Sequence, residues 1–248
     1  MASLPAREEY RPLLQENPVF ANLSPSAYAR VLENATLATY ATDVFLTHQG
    51  DPAHAFYILT YGRAKLLQAA PEGQQVLLRY IVAGQEFGII AALGAYQYPL
   101  SVQAVEPCGA LIWPGARLAD LIRRYPQIGL NGLEVMVMRN QELQRRYQEL
   151  LTTRVEQRLA QALVRLAEQI GRPQTGGILI DIPLTRADLA EYTGTTLFSV
   201  SRILRTWEVQ GLVESGRERV VVRDSAALAE LSDLDGVSFM GCALACGR

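Results

Sequence analysis

One segment constrains the fold of this chain more than any other: Leu184–Val213, which reads LTRADLAEYTGTTLFSVSRILRTWEVQGLV. Thr185 stands where a helix N-cap is expected, directly before a run with apolar residues at helical spacing. Gly194 then predicts a tight turn, Thr196 predicts the N-cap of a second helix, and Gly211 predicts its end. The segment therefore predicts two short helices joined by a glycine turn, which is a helix-turn-helix motif.

The second helix of this motif is predicted to have two faces of different chemistry. Its apolar spacing assigns a buried face to Val200, Ile203, Leu204 and Trp207, and no acidic residue occurs between Glu191 and Glu208. Reading a DNA major groove requires short hydrogen-bonding groups, apolar groups and arginines on the outward face of such a helix. We therefore predict that the DNA contacts come from Thr195, Thr196, Leu197, Phe198, Ser199, Ser201, Arg202 and Arg205.

Residues 212–223 read LVESGRERVVVR, a strand, a turn and a second strand. A hairpin placed directly after the motif predicts a wing, on which Arg217 and Arg219 are expected to contact the DNA backbone. The competing interpretation is a small helical domain with a solvated arginine face. The caps, the turn, the acid-free face and the hairpin agree with each other and favour the wing. The rest of this domain is predicted as a helix over 154–170, a loop over 171–177 and a short strand over 179–182.

A long helix is predicted from about residue 128 to residue 153. Apolar or neutral residues alternate along it at spacings of three and four, which is the seam of a coiled coil. Asn140 on the seam would fix the register of two helices. The alternative is an ordinary amphipathic helix that packs on its own domain, but the length of the seam favours a dimer. The predicted dimer interface consists of Leu133, Met136, Asn140, Leu143, Tyr147 and Leu150.

The region from residue 36 to residue 114 has a different residue pattern from the helical segments, because short apolar runs alternate with turns that contain glycine. That pattern predicts a β-sandwich or barrel. Helices are expected before it, one of them capped by Ser24, and a short helix follows over 116–125. The fold class is therefore α+β, with an N-terminal double-stranded β-roll (a cupin-like sandwich) over 1–126, the dimerisation helix over 127–153, a winged helix-turn-helix domain over 154–225 and a C-terminal tail over 226–248.

Composition excludes several classes of protein. Hydrophobic residues make up 49% of the chain, yet no apolar run reaches the roughly 20 residues of a membrane helix, so no membrane partner is expected. We expect no secretory signal, because the first residues contain no apolar h-region, and three cysteines cannot form a disulfide framework, so we expect a cytoplasmic location. Two histidines, His48 and His54, give a catalytic or metal site few candidates. We predict no catalytic residue, no metal and no cofactor.

Two other classes of protein stay open beside a DNA-binding one. A metalloenzyme on a cupin-like roll would need histidine and carboxylate ligands that converge inside the barrel. A partner-binding adaptor would use the winged helix to bind protein. A metal assay tests the first class, and salt dependence of DNA affinity tests the second.

The order of β-roll, long helix and winged helix-turn-helix resembles the CRP/FNR superfamily of transcription regulators. The glycine pattern of the roll fits as well, at Gly50, Gly62, Gly84 and Phe87-Gly88. The resemblance covers roughly residues 15–225. It implies a homodimer that binds double-stranded DNA with two-fold related half-sites and that recruits or blocks RNA polymerase.

Three departures from this family concern its effector. Members that bind cyclic AMP carry a glutamate where Ile89 stands, an Arg-Ser pair where Tyr98-Pro99 stands, and a Thr-Ser pair where Leu143-Gln144 stands. Burying a phosphate without a cation is costly, so we expect an effector other than cyclic AMP, or none. The candidate residues for an effector pocket are Gly88, Ile89, Tyr98, Pro99, Ser101, Leu143 and Gln144.

Other members of the family sense their effector through an iron–sulfur cluster, a haem or a gas. An iron–sulfur cluster needs four thiolates; Cys108 stands alone in the roll, and Cys242 with Cys246 make an incomplete site in the tail. Tyr98-Pro99 resembles the branch that does not bind cyclic nucleotides and includes nitric-oxide responders. A cyclic-nucleotide-responsive or a haem- or gas-responsive regulator therefore remains the alternative.

The second helix of the motif departs from the family at one position. Many members carry a glutamate where Phe198 stands, while Arg202 matches the arginine that contacts guanine or phosphate. A phenyl ring cannot accept from a cytosine amine; it suits a thymine methyl group, or it packs inward. The resemblance therefore implies an operator different from the best-known consensus sites. Asp43 replaces a turn glycine of the roll, which an aspartate tolerates.

Overall fold

The computed structural model describes residues 8–69 and 75–233 of the 248-residue chain. The contacts divide the chain into two units, residues 1–145 and residues 146–248. The boundary falls inside the long helix, for which the sequence predicts a segment of its own over 127–153. The predictions for Cys242 and Cys246, and for most of the tail, lie outside the described residues.

The first unit includes helix α1 (Arg11–Glu16), a 3₁₀ turn (Pro18–Phe20) and helix α2 (Pro25–Glu33). The Ser24 hydroxyl accepts from the Ala27 amide at 3.3 Å, which confirms the predicted N-cap. Pro25 occupies the first helical position, where its missing N–H costs nothing.

The β-roll consists of two antiparallel four-stranded sheets, with strand orders β1-β8-β3-β6 and β2-β7-β4-β5. This confirms the predicted roll. Strand β7 lacks a continuous apolar run, because its residues alternate between polar and apolar. The strands are β1 (Thr36–Tyr40), β2 (Phe45–Thr47), β3 (Ala55–Tyr61), β4 (Arg63–Ala69), β5 (Gln75–Val82), β6 (Glu86–Phe87), β7 (Ser101–Ala104) and β8 (Cys108–Pro114).

Strand β3 contributes side chains to two separate cores. Phe56 and Ile58 pack with Trp113 in a core shared with the helices, whereas Tyr57 and Leu59 belong to a second core with residues of both sheets. Successive side chains of a strand point to opposite faces of its sheet, so a strand covered on both faces is apolar throughout. That is why this strand reads as one continuous apolar run.

Turns of the roll use the left-handed backbone conformation at the positions where the sequence places glycine. Gly62 has φ +74°, Gly84 has φ +86° and Gly88 has φ +78°. Asp43 has φ +65°, which confirms that aspartate takes the place of a turn glycine there.

Two helices follow the roll, α3 (Gly115–Arg124) and the long α4 (Pro126–Thr152). The first turns of α4 pack on the first unit through Ile128 and Val135. Asn131 is buried beside them, and its amide donates to the carbonyl oxygens of Val19 at 3.1 Å and Ala21 at 2.9 Å. A buried amide with both donors satisfied fixes the position of the helix on the roll.

The second unit combines helices with one antiparallel sheet, in the order β11-β12-β10-β9. The prediction of a loop over 171–177 is wrong, because β9 pairs with β10 along Gly171–Gln174. Strand β9 contains Pro173, which is tolerated there because β9 is an edge strand. The elements are α5 (Val155–Ile170), β9 (Gly171–Gln174), β10 (Gly177–Ile180), α6 (Arg186–Thr193), α7 (Leu197–Val209), β11 (Val213–Ser215), β12 (Val220–Val222) and α8 (Ser225–Asp233).

The tail begins later than the predicted boundary at residue 226. Helix α8 packs against α5, Leu228 is fully buried, and the Gln161 amide donates to the Ser232 carbonyl at 3.3 Å. Residues 225–233 therefore belong to the second unit.

The roll offers a matched pair of glycines for a stability test. A Cβ on Gly62 would lie 2.4 Å from the Pro107 carbonyl oxygen, whereas a Cβ on Gly84 would meet nothing within 4 Å. We expect Gly84→Ala to lower the free energy of unfolding by about 1 kcal/mol through its backbone conformation alone. Gly62→Ala should cost roughly 1–3 kcal/mol more, because the overlap must be relieved.

Urea unfolding followed by Trp113 fluorescence measures this difference. The chain has two tryptophans, so Trp207→Phe is the background for all variants. Equal losses for the two alanines would contradict the close packing of the Gly62 turn.

Candidate nucleic-acid interface

The first helix of the motif, α6, begins at a complete capping box. The Asp188 amide donates to the Thr185 hydroxyl at 3.0 Å, and the Thr185 amide donates to the Asp188 carboxylate at 2.8 Å. The helical spacing of the sequence predicts a buried face of Ala187, Leu189, Ala190 and Tyr192. Leu189 and Ala190 are buried and Tyr192 is half-buried, whereas Ala187 is exposed and does not belong to this face.

The turn between the two helices depends on Gly194, which ends α6 with φ +62° and ψ +46°. The Thr195 amide donates to the Ala190 carbonyl at 2.9 Å. Thr196 follows as N-cap of α7, and its hydroxyl accepts from the Ser199 amide at 3.2 Å. The glycine turn and both caps are thereby confirmed.

The inner face of α7 consists of the four residues that the sequence assigned to it, Val200, Ile203, Leu204 and Trp207, all buried. The Trp207 indole N–H donates to the Glu156 carboxylate at 3.2 Å, so its polar group is satisfied. This face anchors α7 and leaves the opposite face free.

The outer face of α7 carries apolar and cationic groups together. Leu197 is 54% exposed and Phe198 is 75% exposed, so Phe198 does not pack inward. Arg202 and Arg205 are exposed, and neither guanidinium group forms a hydrogen bond or ion pair with residues 8–69 or 75–233. Thr195, Ser199 and Ser201, also predicted to contact DNA, are half-buried at the edge of this face, and Thr196 is exposed.

The wing is present as the hairpin of β11 and β12, but its two arginines differ. Arg217 is exposed. Arg219 instead donates to the Glu214 carboxylate at 2.9 Å, and Arg223 pairs with the same carboxylate. The hydrogen bond from Arg223 and the charges of both arginines hold the pKa of Glu214 below its usual value. Of the two predicted wing contacts, only Arg217 has its guanidinium free among the described residues.

Polar contacts that the sequence analysis missed attach the end of α4 to the motif. Arg146 donates to the Tyr192 hydroxyl at 2.9 Å and lies 5.0 Å from the centre of that ring. Glu149 accepts two hydrogen bonds of 3.0 Å from Arg165. These pairs join residues far apart in sequence, so only the tertiary structure reveals them.

Comparisons with known proteins agree with this architecture. A Crp-like helix-turn-helix domain matches residues 157–231, and a cyclic nucleotide-binding domain matches residues 37–125. The CRP-like cAMP-activated global transcriptional regulator of Mycobacterium tuberculosis is 23% identical over 85% of this chain and 94% of its own. The cyclic AMP receptor protein of Thermus thermophilus is 26% identical over 88% of this chain and 98% of its own. The chain belongs to the CRP/FNR superfamily of transcription regulators.

A solved structure shows the same fold as this CRP/FNR protein. The structure of FixK2 from Bradyrhizobium japonicum has a TM-score of 0.71, at 20% identity, over 82% of this chain and 98% of that chain. The predicted fold class is therefore confirmed. DNA binding through the helix-turn-helix domain is the activity of the family, and its members typically act as dimers.

The candidate effector pocket inside the CRP/FNR roll contains an aromatic cluster. The Tyr98 hydroxyl donates to the Ala55 carbonyl at 2.8 Å and accepts from the Ala55 amide at 2.9 Å. Tyr57 stacks on Phe87 with 4.6 Å between ring centres, and its hydroxyl lies 3.2 Å from Nε2 of His54. Burial raises the pKa of both Tyr57 and Tyr98, so both phenols are neutral at physiological pH.

The other pocket candidates occupy different surroundings. Gly88 touches the Tyr98 ring, because a Cβ there would lie 3.3 Å from it. Ile89 packs on α4, 2.7 Å from the Cβ position of Gly132. Ser101 accepts from the Gln49 amide at 2.9 Å. The structure therefore places Gly88 against Tyr98, whereas Pro99, Leu143 and Gln144 are exposed.

A buried carboxylate near this pocket escaped the sequence analysis. Glu86 is 5% exposed and accepts from the Asn17 amide at 3.0 Å. Arg139 of α4 lies 3.4 Å from its other oxygen. An isolated buried charge is costly, and these two partners compensate it.

The predicted dimer seam is uncovered along α4. Leu133, Met136, Leu143, Tyr147 and Leu150 are 49–64% exposed, and Asn140 is exposed with them. A stripe of exposed apolar side chains along a long helix is typical of a surface that binds another protein.

Two remaining observations concern metals and membranes. Cys108 is buried, and burial raises the pKa of its thiol to about 11, which fits a small buried apolar residue. Among residues 8–69 and 75–233, no cluster of three histidine, cysteine, aspartate or glutamate side chains could hold a metal ion. Within the same ranges no helix has the length and apolar character to span a bilayer.

Proposed function

We propose that this chain is a homodimeric, sequence-specific DNA-binding transcription regulator that acts without cyclic AMP. Helix α7 is its recognition helix, and its operator contains two half-sites related by two-fold symmetry. It acts in the cytoplasm, through RNA polymerase, and it is not an enzyme and carries no cofactor. The single observation that carries this proposal is the outer face of α7, where Phe198, Arg202 and Arg205 are exposed together.

The electrostatics of α7 favour nucleic acid over a protein partner. No acidic residue lies between Glu191 and Glu208, and two carboxylates that contact α7 elements have partners within the domain. Glu208 accepts from the Ser215 amide at 3.0 Å, and Glu156 accepts from Trp207. The free guanidinium groups of α7 therefore face outward without competing anions on the same face, which suits guanine edges and phosphates.

The dimer is proposed from the uncovered seam on α4. A single chain leaves five large apolar side chains of this seam half or more exposed to water. A second copy of the helix would cover them at the heptad spacing of a coiled coil, with Asn140 facing its own copy.

Independence from cyclic AMP is proposed from Tyr98. This residue stands where relatives that bind cyclic AMP carry the arginine that pairs with the phosphate. Its hydroxyl is bound to the backbone of Ala55, so this position supplies no cation for an anion. Two of the relatives are named for cyclic AMP, and response to that nucleotide is therefore the alternative to be tested.

The role of α7 as recognition helix is tested with Arg202→Ala on an operator selected from a random DNA pool. We expect a loss of about 1–3 kcal/mol in binding free energy and relaxed specificity at one base pair of each half-site, because a bidentate contact to guanine is removed. The matched control is Arg172→Ala, which removes the same charge from the exposed edge strand β9. Fluorescence anisotropy on wild-type and single-base-variant operators measures both effects.

A uniform loss across all sequences, with a shallower salt slope, would show instead that Arg202 meets only phosphate. Unchanged affinity and unchanged sequence preference would show that α7 is not the recognition helix.

The dimer is tested with Leu133→Glu combined with Leu143→Glu. Both side chains are exposed in the single chain, so the change leaves the fold intact but places like charges across the seam. Sedimentation velocity should show monomers. Gln141→Glu combined with Gln148→Glu adds the same charge to exposed positions beside the seam and should remain dimeric. If the leucine variant sediments as a dimer, the interface lies elsewhere.

Titration calorimetry with cyclic AMP tests the effector proposal. We expect no binding heat at micromolar nucleotide and no change in operator affinity, because Tyr98 supplies no charge for the phosphate. A micromolar dissociation constant, about −8 kcal/mol, would refute independence from cyclic AMP. Operator binding by the same protein sample is the control for an active preparation.

A further inference from the structure

The first turn of α7 exposes a phenyl ring that contacts nothing in its own core. Phe198 is 75% exposed, and among the described large hydrophobic residues only Val209 is more exposed. The four inner positions of α7 are occupied by other residues, so the ring has no inward site. The two possibilities that the sequence left open for Phe198 thus reduce to one, an outward ring.

Phe198 shares its face of the helix with the two free arginines. Arg202 follows four residues later and Arg205 seven residues later, and positions separated by four or seven lie on one face of an α-helix. With a rise of about 1.5 Å per residue, Phe198 and Arg202 are offset by about 6 Å along the axis. Base pairs are spaced by about 3.4 Å, so the two side chains address positions one or two base pairs apart.

The chemistry of the ring selects one kind of base edge. Thymine alone presents a methyl group in the major groove, beside its O4 acceptor, whereas the other bases present only donors and acceptors there. A phenyl ring offers no hydrogen bond, and a base amine or carbonyl desolvated against it would stay unsatisfied. The hydroxyl groups of Thr196 and Ser199, which flank Phe198 in the sequence, bond to each other at 3.0 Å.

We propose that Phe198 is a specificity-determining residue that reads the 5-methyl group of a thymine, one or two base pairs from the guanine read by Arg202, in each half-site. This inference rests on the proposed function, since it requires α7 to lie in the major groove. It defines the preferred DNA as one with a thymine at a fixed short distance from a guanine.

Uracil substitution tests the contact, because uracil differs from thymine only by the missing methyl group. Each thymine of the selected operator is replaced in turn by uracil, in both half-sites, and affinity is measured by anisotropy. We expect a loss of about fourfold per half-site at one thymine position, the change that corresponds to burying one methyl group. The other thymines should tolerate uracil.

Protein variants then assign that effect to a residue. In Phe198→Ala, thymine and uracil operators should bind equally at this position, although both bind more weakly than to wild type. Leu197→Ala is the matched control, because it removes the neighbouring exposed apolar side chain and should keep the preference for thymine. Phe198→Glu should shift selection toward cytosine, since a carboxylate accepts from the cytosine amine. Trp207 fluorescence verifies that each variant is folded.

The outcomes separate this inference from the proposed function. A flat uracil scan on an operator that binds with normal salt dependence overturns the role of Phe198 and leaves DNA reading by α7 intact. A thymine preference that survives Phe198→Ala, or that is lost in Leu197→Ala instead, also overturns it. Failure to select any DNA overturns the proposed function, and this inference with it.

Discussion

Helix Pro126–Thr152 is the element on which the rest of the structure depends, because both units contain part of it. Its first turns are fixed in the roll unit by apolar packing and by the buried amide of Asn131. Its last turns are fixed in the second unit by charge-assisted pairs, of which Glu149 with Arg165 is the most buried. The apolar seam lies on another face of the same helix and stays uncovered. A helix held at both ends can present such a seam in a defined orientation to a second copy.

Aromatic side chains of the roll bond and stack within the roll at the candidate effector pocket. Tyr98 satisfies its hydroxyl on the backbone of Ala55, and Phe87 stacks on Tyr57, so these aromatic side chains have partners within the roll. Glu86 and Arg139 add an ion pair between the roll and the long helix. These internal contacts support the proposal that the regulator acts without cyclic AMP.

Acidic and basic groups are divided between structure and surface in the DNA-binding domain. Asp188 caps a helix, Glu208 and Glu156 bond to neighbouring elements, and Glu214 holds two wing arginines. These four carboxylates are engaged by other groups of the domain, so they are not paired with the arginines of α7. The positive face of α7 therefore results as much from where the acids are bound as from where the arginines stand.

The sequence by itself determined the elements whose signals are local. The caps at Thr185 and Thr196, the turn at Gly194 and the buried face of α7 follow from neighbouring backbone hydrogen bonds and from the helical period, which operate within a few residues. Only the tertiary structure decided the strand that contains Pro173, the bonding of Tyr98, the partners of Glu86 and the outward ring of Phe198. These depend on which surfaces meet after folding. Contacts between residues distant in sequence leave no periodic or capping pattern in the chain, so no local argument could have found them.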